Sequence, residues 1–169
     1  MTESTAFYSD EILQVAFWRN VTIIDISGDI SADQMRIVGR AYRTLLMAHS
    51  GGVVGLCTIR AGVPVASADA RAESVRFTKE LGNAVLAVVM VIEDSGIFSH
   101  VMRNVIRGIN VMTQSSKLVA VATVDEGIKA VLPHVRCSRE ERDVSGDLRS
   151  VVTAIRTRAR PSQKLKQAR

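Results

Sequence analysis

The sequence predicts an α/β fold: a mostly parallel or mixed five-stranded sheet with helices on its faces, followed by a C-terminal amphipathic helix. Three observations carry this. Runs rich in β-branched residues alternate with segments whose apolar positions recur at helical spacing. The run Ala84 to Ile92 is apolar at every position, as expected of a central strand covered on both faces. A chain of 169 residues, 47% hydrophobic and 23% charged, is long enough for one packed core and has the composition of a folded domain.

Ile12 to Phe17 and Val21 to Ile26 read as two strands joined through Trp18-Arg19-Asn20, a connection short enough for a hairpin. Ser31 and Gln34 have the spacing of a capping box, so a helix follows. Its apolar positions Met35, Val38, Tyr42 and Leu45 recur at helical intervals and face the sheet. Gly51-Gly52 ends this unit, because glycine reaches left-handed dihedrals at little cost. Val53 to Ile59 is the third strand. Ser67 is a good cap for a second helix, with Asp69 in its first turn facing the helix dipole and Ala70, Ser74, Phe77 and Leu81 inward. Val85 to Ile92 is the fourth strand. A third helix follows with the stripe Phe98, Val101, Met102, Val105, Ile109 and Met112, expected to be deeply packed. Leu118 to Ala122 is the fifth strand. Thr123 and Glu126 form a second capping box, opening a short helix with Ile128, Val131 and Leu132 inward. After the hairpin, strands separated by helices require crossovers and so a largely parallel sheet.

Composition shifts after Leu132-Pro133, which divides the chain into a body, 1–133, and a basic extension, 134–169. The body carries 12 basic and 13 acidic side chains, the extension 10 and 4, so the excess positive charge belongs to the extension. Within it Val144, Leu148, Val151, Val152 and Ile155 mark an amphipathic helix near 144–158. A lone helix of about a dozen residues is marginal in water, so this stripe is buried against the body or against another chain and is a candidate interface. Arg156, Arg158 and Arg160, with Arg103 and Arg107 on the third helix, form a candidate anion patch. Contact of the tail with nucleic acid or anionic lipid would be sensitive to salt, but more often such clusters keep a terminus solvated.

Chemical motifs are sparse. His49, His100 and His134 stand far apart, Cys57 and Cys137 are not in a CxxC pair, and the phosphate-loop and GxSxG patterns do not occur. No catalytic, metal-ligating or cofactor-binding residue is assigned. The longest apolar run is too short to span a bilayer, which takes roughly 20 residues. The first eleven residues carry no basic side chain, unlike a secretory leader. The expectation is a cytoplasmic protein with free thiols and no membrane span.

The order of elements, the stretch Val88-Val89-Met90-Val91-Ile92-Glu93-Asp94-Ser95-Gly96 followed by Arg103 and Arg107, and the ending Ala120-Val121-Ala122-Thr123-Val124-Asp125-Glu126-Gly127-Ile128-Lys129-Ala130-Val131-Leu132 resemble the STAS-like (SpoIIAA-like) group over roughly residues 11–133. That resemblance implies non-enzymatic regulation by protein contact, as in bacterial signalling, and self-association is expected beside it. For a minority of relatives it implies binding of a lipid or small apolar ligand in SEC14-like fashion. Where that group carries a phosphorylatable turn before its second helix, this chain has Ala66-Ser67-Ala68-Asp69. Ser67, Asp69 and Arg71 are therefore the candidate interaction or phospho-acceptor region, with Ser67 the one possible acceptor. Gly127 stands at the usual alanine position of the last short helix, a replacement that weakens a helix by about 1 kcal/mol.

Overall fold

The computed structural model describes residues 4–94, 96–113, 117–136 and 143–158. The sheet opens with three antiparallel strands, β1 (Thr5–Ser9), β2 (Leu13–Trp18) and β3 (Val21–Ile26). The β2–β3 turn is only Arg19-Asn20, and Arg19 takes the left-handed conformation that so tight a turn requires (φ 55°). Helix α1 (Ala32–Ala48) follows β3 and leads to β4 (Val53–Ile59). Then come α2 (Ala68–Leu81), β5 (Val85–Ile92), α3 (Ile97–Thr113), β6 (Leu118–Val121), α4 (Val124–Val131) and α5 (Val144–Arg158).

The strands lie in sequence order, β1-β2-β3-β4-β5-β6, and β3 to β6 are parallel. The sheet therefore has six strands where five are expected, because Thr5–Ser9 adds an antiparallel edge. Strands β3 to β6 advance one place at a time in one direction, so crossovers of one hand stack α1, α2 and α3 on the same face. Leu13, Ile24, Tyr42, Phe77 and Ile106 belong to the core on that side. The opposite face is covered by α4 and α5, where Trp18, Ile23, Leu56, Ile128 and Leu148 share a second core.

Local sequence explains the helix ends. Both capping boxes are present: Ser31 accepts from the Gln34 N–H and Thr123 from the Glu126 N–H, each with its reciprocal bond. In α5, Leu148, Val151, Val152 and Ile155 are buried and Val144 is half-buried. Each buried aliphatic side chain contributes roughly 1.5–3 kcal/mol, which places residues 143–158 firmly on the sheet. The apolar stripe read as a candidate interface is thus occupied within the chain itself. Its hydrophobic side is not free for another molecule.

Candidate functional site

Three regions bring chemistry together. The first lies between the sheet and its three-helix layer. Ile24, Cys57, Val88 and Met90 of the sheet, with Tyr42 of α1 and Phe77 of α2, line an apolar cavity of about 70 Å³. A second cavity of about 70 Å³ lies toward the start of α2 and the inner side of α3, reaching Pro64, Arg71, Met102 and Ile106. Ile26, Met35, Ser74 and Met90 line both, so the two spaces abut. The wall is mostly apolar because the strands and the inner sides of α1, α2 and α3 bring aliphatic and aromatic side chains to this face.

Polar groups in this wall are few. The Tyr42 hydroxyl is buried without a hydrogen-bond partner. Burial, and then the neighbouring Cys57, push its ionisation well above the usual tyrosine range. The Cys57 thiol is pushed up to about 12 by burial and by the Asp25 carboxylate, which keeps it protonated and unreactive. At the outer end, Ser67 caps α2 by accepting from the Ala70 N–H at 3.2 Å. Ser67 and Asp69 are exposed, while Arg71 is half-buried and donates to the Ala66 carbonyl. The three residues expected to act together therefore divide: two face solvent and the third turns to the cavity.

The second region is the outer side of α3 with β6. Met102, Ile106 and Ile109 are buried, whereas Val101, Val111 and Met112 are 41%, 73% and 53% exposed and Val119 of β6 is 43% exposed. The deep packing expected for Val101 and Met112 does not occur, because the apolar arc of α3 is wider than the strip it can press on the sheet. Phe98 lies outside the residues whose side chains are described. On the main-chain edge of β6, Asn110 pairs with both backbone groups of Leu118, and just beyond the strand the Ala122 N–H donates to Glu126.

The third region is the carboxyl edge of the parallel strands, where ligands of open α/β sheets usually bind. Asp25, 1% exposed, accepts from Thr58 Oγ1 at 2.6 Å and from Arg60 at 2.6 and 3.1 Å. Arg60 also donates to the Arg156 carbonyl at 2.7 Å, and Arg156 pairs with Glu93 at 2.6 Å. Arg156 is thus spent on fastening α5. Arg103 and Arg107 are exposed on α3, across the sheet from Arg156 and Arg158, so the anion patch does not assemble. Arg160 lies outside the described residues, as does Cys137. Sequence reading missed Asp25, although an acid inside the apolar run Val21–Ile26 was a visible signal.

Among the described residues no cluster of His, Cys, Asp or Glu could hold a metal ion, and no helix is long and apolar enough to cross a membrane. No family model, curated protein or solved structure matches the chain.

Proposed function

We propose that this chain acts in the cytoplasm by protein contact, as a self-associating regulatory module whose contact surface is the outer side of α3. The supporting observation is that three aliphatic side chains, Val101, Val111 and Met112, are exposed on α3. Apolar residues that adjoin in this way mark contact sites more often than scattered ones. Asn110 occupies both backbone groups of Leu118, which disfavours strand pairing at that point of β6 and leaves the contact to the side chains of α3. A two-fold axis would bring this patch onto its own copy. A Cβ at Gly108 would meet only open space, which leaves room for a partner helix to approach. The β1 edge is less suited, since it is interrupted by a register shift at Ala6/Tyr8 and exposes Thr5 and Ser9. The STAS-like order of elements supports the regulatory reading.

Light scattering after size exclusion tests this. The wild-type chain is expected to run as a dimer and the Val111→Lys, Met112→Lys double variant as a monomer with an unchanged circular dichroism spectrum. A wild-type chain that stays monomeric from micromolar to millimolar concentration overturns the proposal.

A further inference from the structure

A cleft of about 450 Å³ opens at the carboxyl edge of the parallel strands, between α4, α5 and the residue that follows β4. Small-molecule sites measure roughly 300–1,000 Å³, so the cleft has the size of one. Three guanidinium groups, from Arg60, Arg149 and Arg156, line it together with Thr153 and Thr157. The four residues from α5 recur at helical spacing and so share one side of that helix.

Fastening α5 uses only part of each guanidinium. Arg60 holds Asp25 and the Arg156 carbonyl through Nε and Nη2, and Arg156 reaches Glu93 through Nη2. Among the described residues, Nη1 of Arg60 and of Arg156 makes no hydrogen bond. Asp25 is 1% exposed, whereas the side chains of Arg60 and Arg156 are 22% and 28% exposed. A buried acid thus braces two cations that still reach solvent. Arginines held in this way lose little freedom when an oxyanion binds, which favours binding.

Arg149 is the least committed of the three. It pairs with Asp125 at 2.6 Å, and both side chains are more than half exposed, so the pair contributes little. A phosphate entering the cleft takes the place of Asp125 on Arg149 and meets three guanidinium groups at once. The threonines add a second element of recognition. Thr153 donates its hydroxyl hydrogen to the Arg149 carbonyl at 2.9 Å and Thr157 to the Thr153 carbonyl at 2.8 Å. Their oxygens remain as acceptors, suited to hydroxyl groups of a ligand. Among the described residues no aromatic ring lines the cleft, so nothing there stacks on a base.

We propose that this cleft binds a small hydroxylated phosphate monoester, a polyol or sugar phosphate, with its phosphate on Arg60, Arg149 and Arg156 and its hydroxyls on Thr153 and Thr157. The site is independent of the self-association proposed above, because α4 and α5 cover the face of the sheet opposite α3. The ligand is a free metabolite rather than a lipid headgroup. Among the described residues no large apolar side chain is exposed on α4 or α5, so nothing beside the cleft enters a bilayer.

Isothermal titration calorimetry of the full-length protein with glycerol phosphate, at constant ionic strength in a buffer without phosphate, tests the site. Saturable one-to-one binding is expected, with inorganic phosphate binding more weakly. Arg149→Gln changes an exposed side chain and is expected to weaken binding about tenfold, the weight of one charge-assisted hydrogen bond. Asp125→Asn frees Arg149 and is expected to tighten binding about twofold to fivefold, the weight of a surface ion pair. Arg107→Gln removes an exposed cation across the sheet and is expected to change nothing. Vesicles of phosphatidylcholine with phosphatidic acid, which carry the same phosphate on a lipid, are expected to leave the protein in solution. Five results each overturn the proposal: no binding at millimolar concentration, equal affinity for inorganic phosphate, an affinity not lowered in Arg149→Gln or not raised in Asp125→Asn, an equal loss in Arg107→Gln, or capture by the vesicles without binding of the free ester.

Discussion

The Tyr42 hydroxyl occupies the space that a side chain at position 55 would need: a Cβ on Gly55 would stand 1.9 Å from it. Helix α1 can therefore lie this close to β4 only with glycine at that position. The arrangement has a cost, since the hydroxyl is buried and unpartnered, and such a group costs about 1–3 kcal/mol. Tyr42→Phe is expected to raise the unfolding free energy by about 1 kcal/mol. Gly55→Ala is expected to lower it by about 1–3 kcal/mol through overpacking. In a double-mutant cycle by urea denaturation, Tyr42→Phe should recover part of the Gly55→Ala loss. Strictly additive effects would show that the two positions do not interact.

Gly127 sets helix propensity against packing. Propensity alone says that alanine would strengthen α4 by about 1 kcal/mol. A Cβ there would lie 2.6 Å from Val91 Cγ2 and 3.0 Å from Leu56 Cδ1, and Val91 is a stiff β-branched residue on a central strand. Gly127→Ala is therefore expected to lower the melting temperature. A rise would show that β5 yields more readily than its burial implies.

What could be read from the sequence was what is decided locally. Val21–Ile26, Val53–Ile59, Val85–Ile92 and the helix over 144–158 were legible from runs and periodicity, and the caps at Ser31, Ser67 and Thr123 from residue type and spacing. β1 was not, because Thr5–Ser9 is a short, largely exposed edge strand held by pairing with β2 and by the Phe7–Phe17 ring contact at 5.0 Å. Periodicity placed Val101 and Met112 of α3 on its inward stripe, since it does not measure how much helix surface the sheet can cover. The Asp25–Arg60 pair joins residues 35 apart, and the cavity beside Arg71 arises from how three helices fit one sheet. Neither has a local signature.

Acid should weaken the fold through Asp10. Partial burial pushes its carboxyl up, but hydrogen bonds from Gln34, the Leu13 and Ile12 N–H groups and Tyr8 outweigh this and hold it below the ordinary aspartate value. With the folded value below the unfolded one, the contribution is complete above the ordinary range near 3.9 and is lost as pH falls through the folded value. Asp10→Asn is expected to be less stable than wild type at neutral pH and to converge with it under acid. Parallel stability curves across that range would remove Asp10 as the source.

The Asp25 network ties α5 to the carboxyl edge of the sheet, so its loss should be felt at a distance. Asp25→Asn leaves Arg60 and Arg156 without the carboxylate they share, and removing one partner of a buried charge cluster costs about 3–5 kcal/mol. Leu148→Ala removes apolar contact from the same helix, at about 2–5 kcal/mol. If α5 is fastened by both, hydrogen exchange in Asp25→Asn should speed up in residues 144–158 before it does so in β4 and β5. Uniform acceleration across the sheet would mean that Asp25 supports the strands rather than the helix.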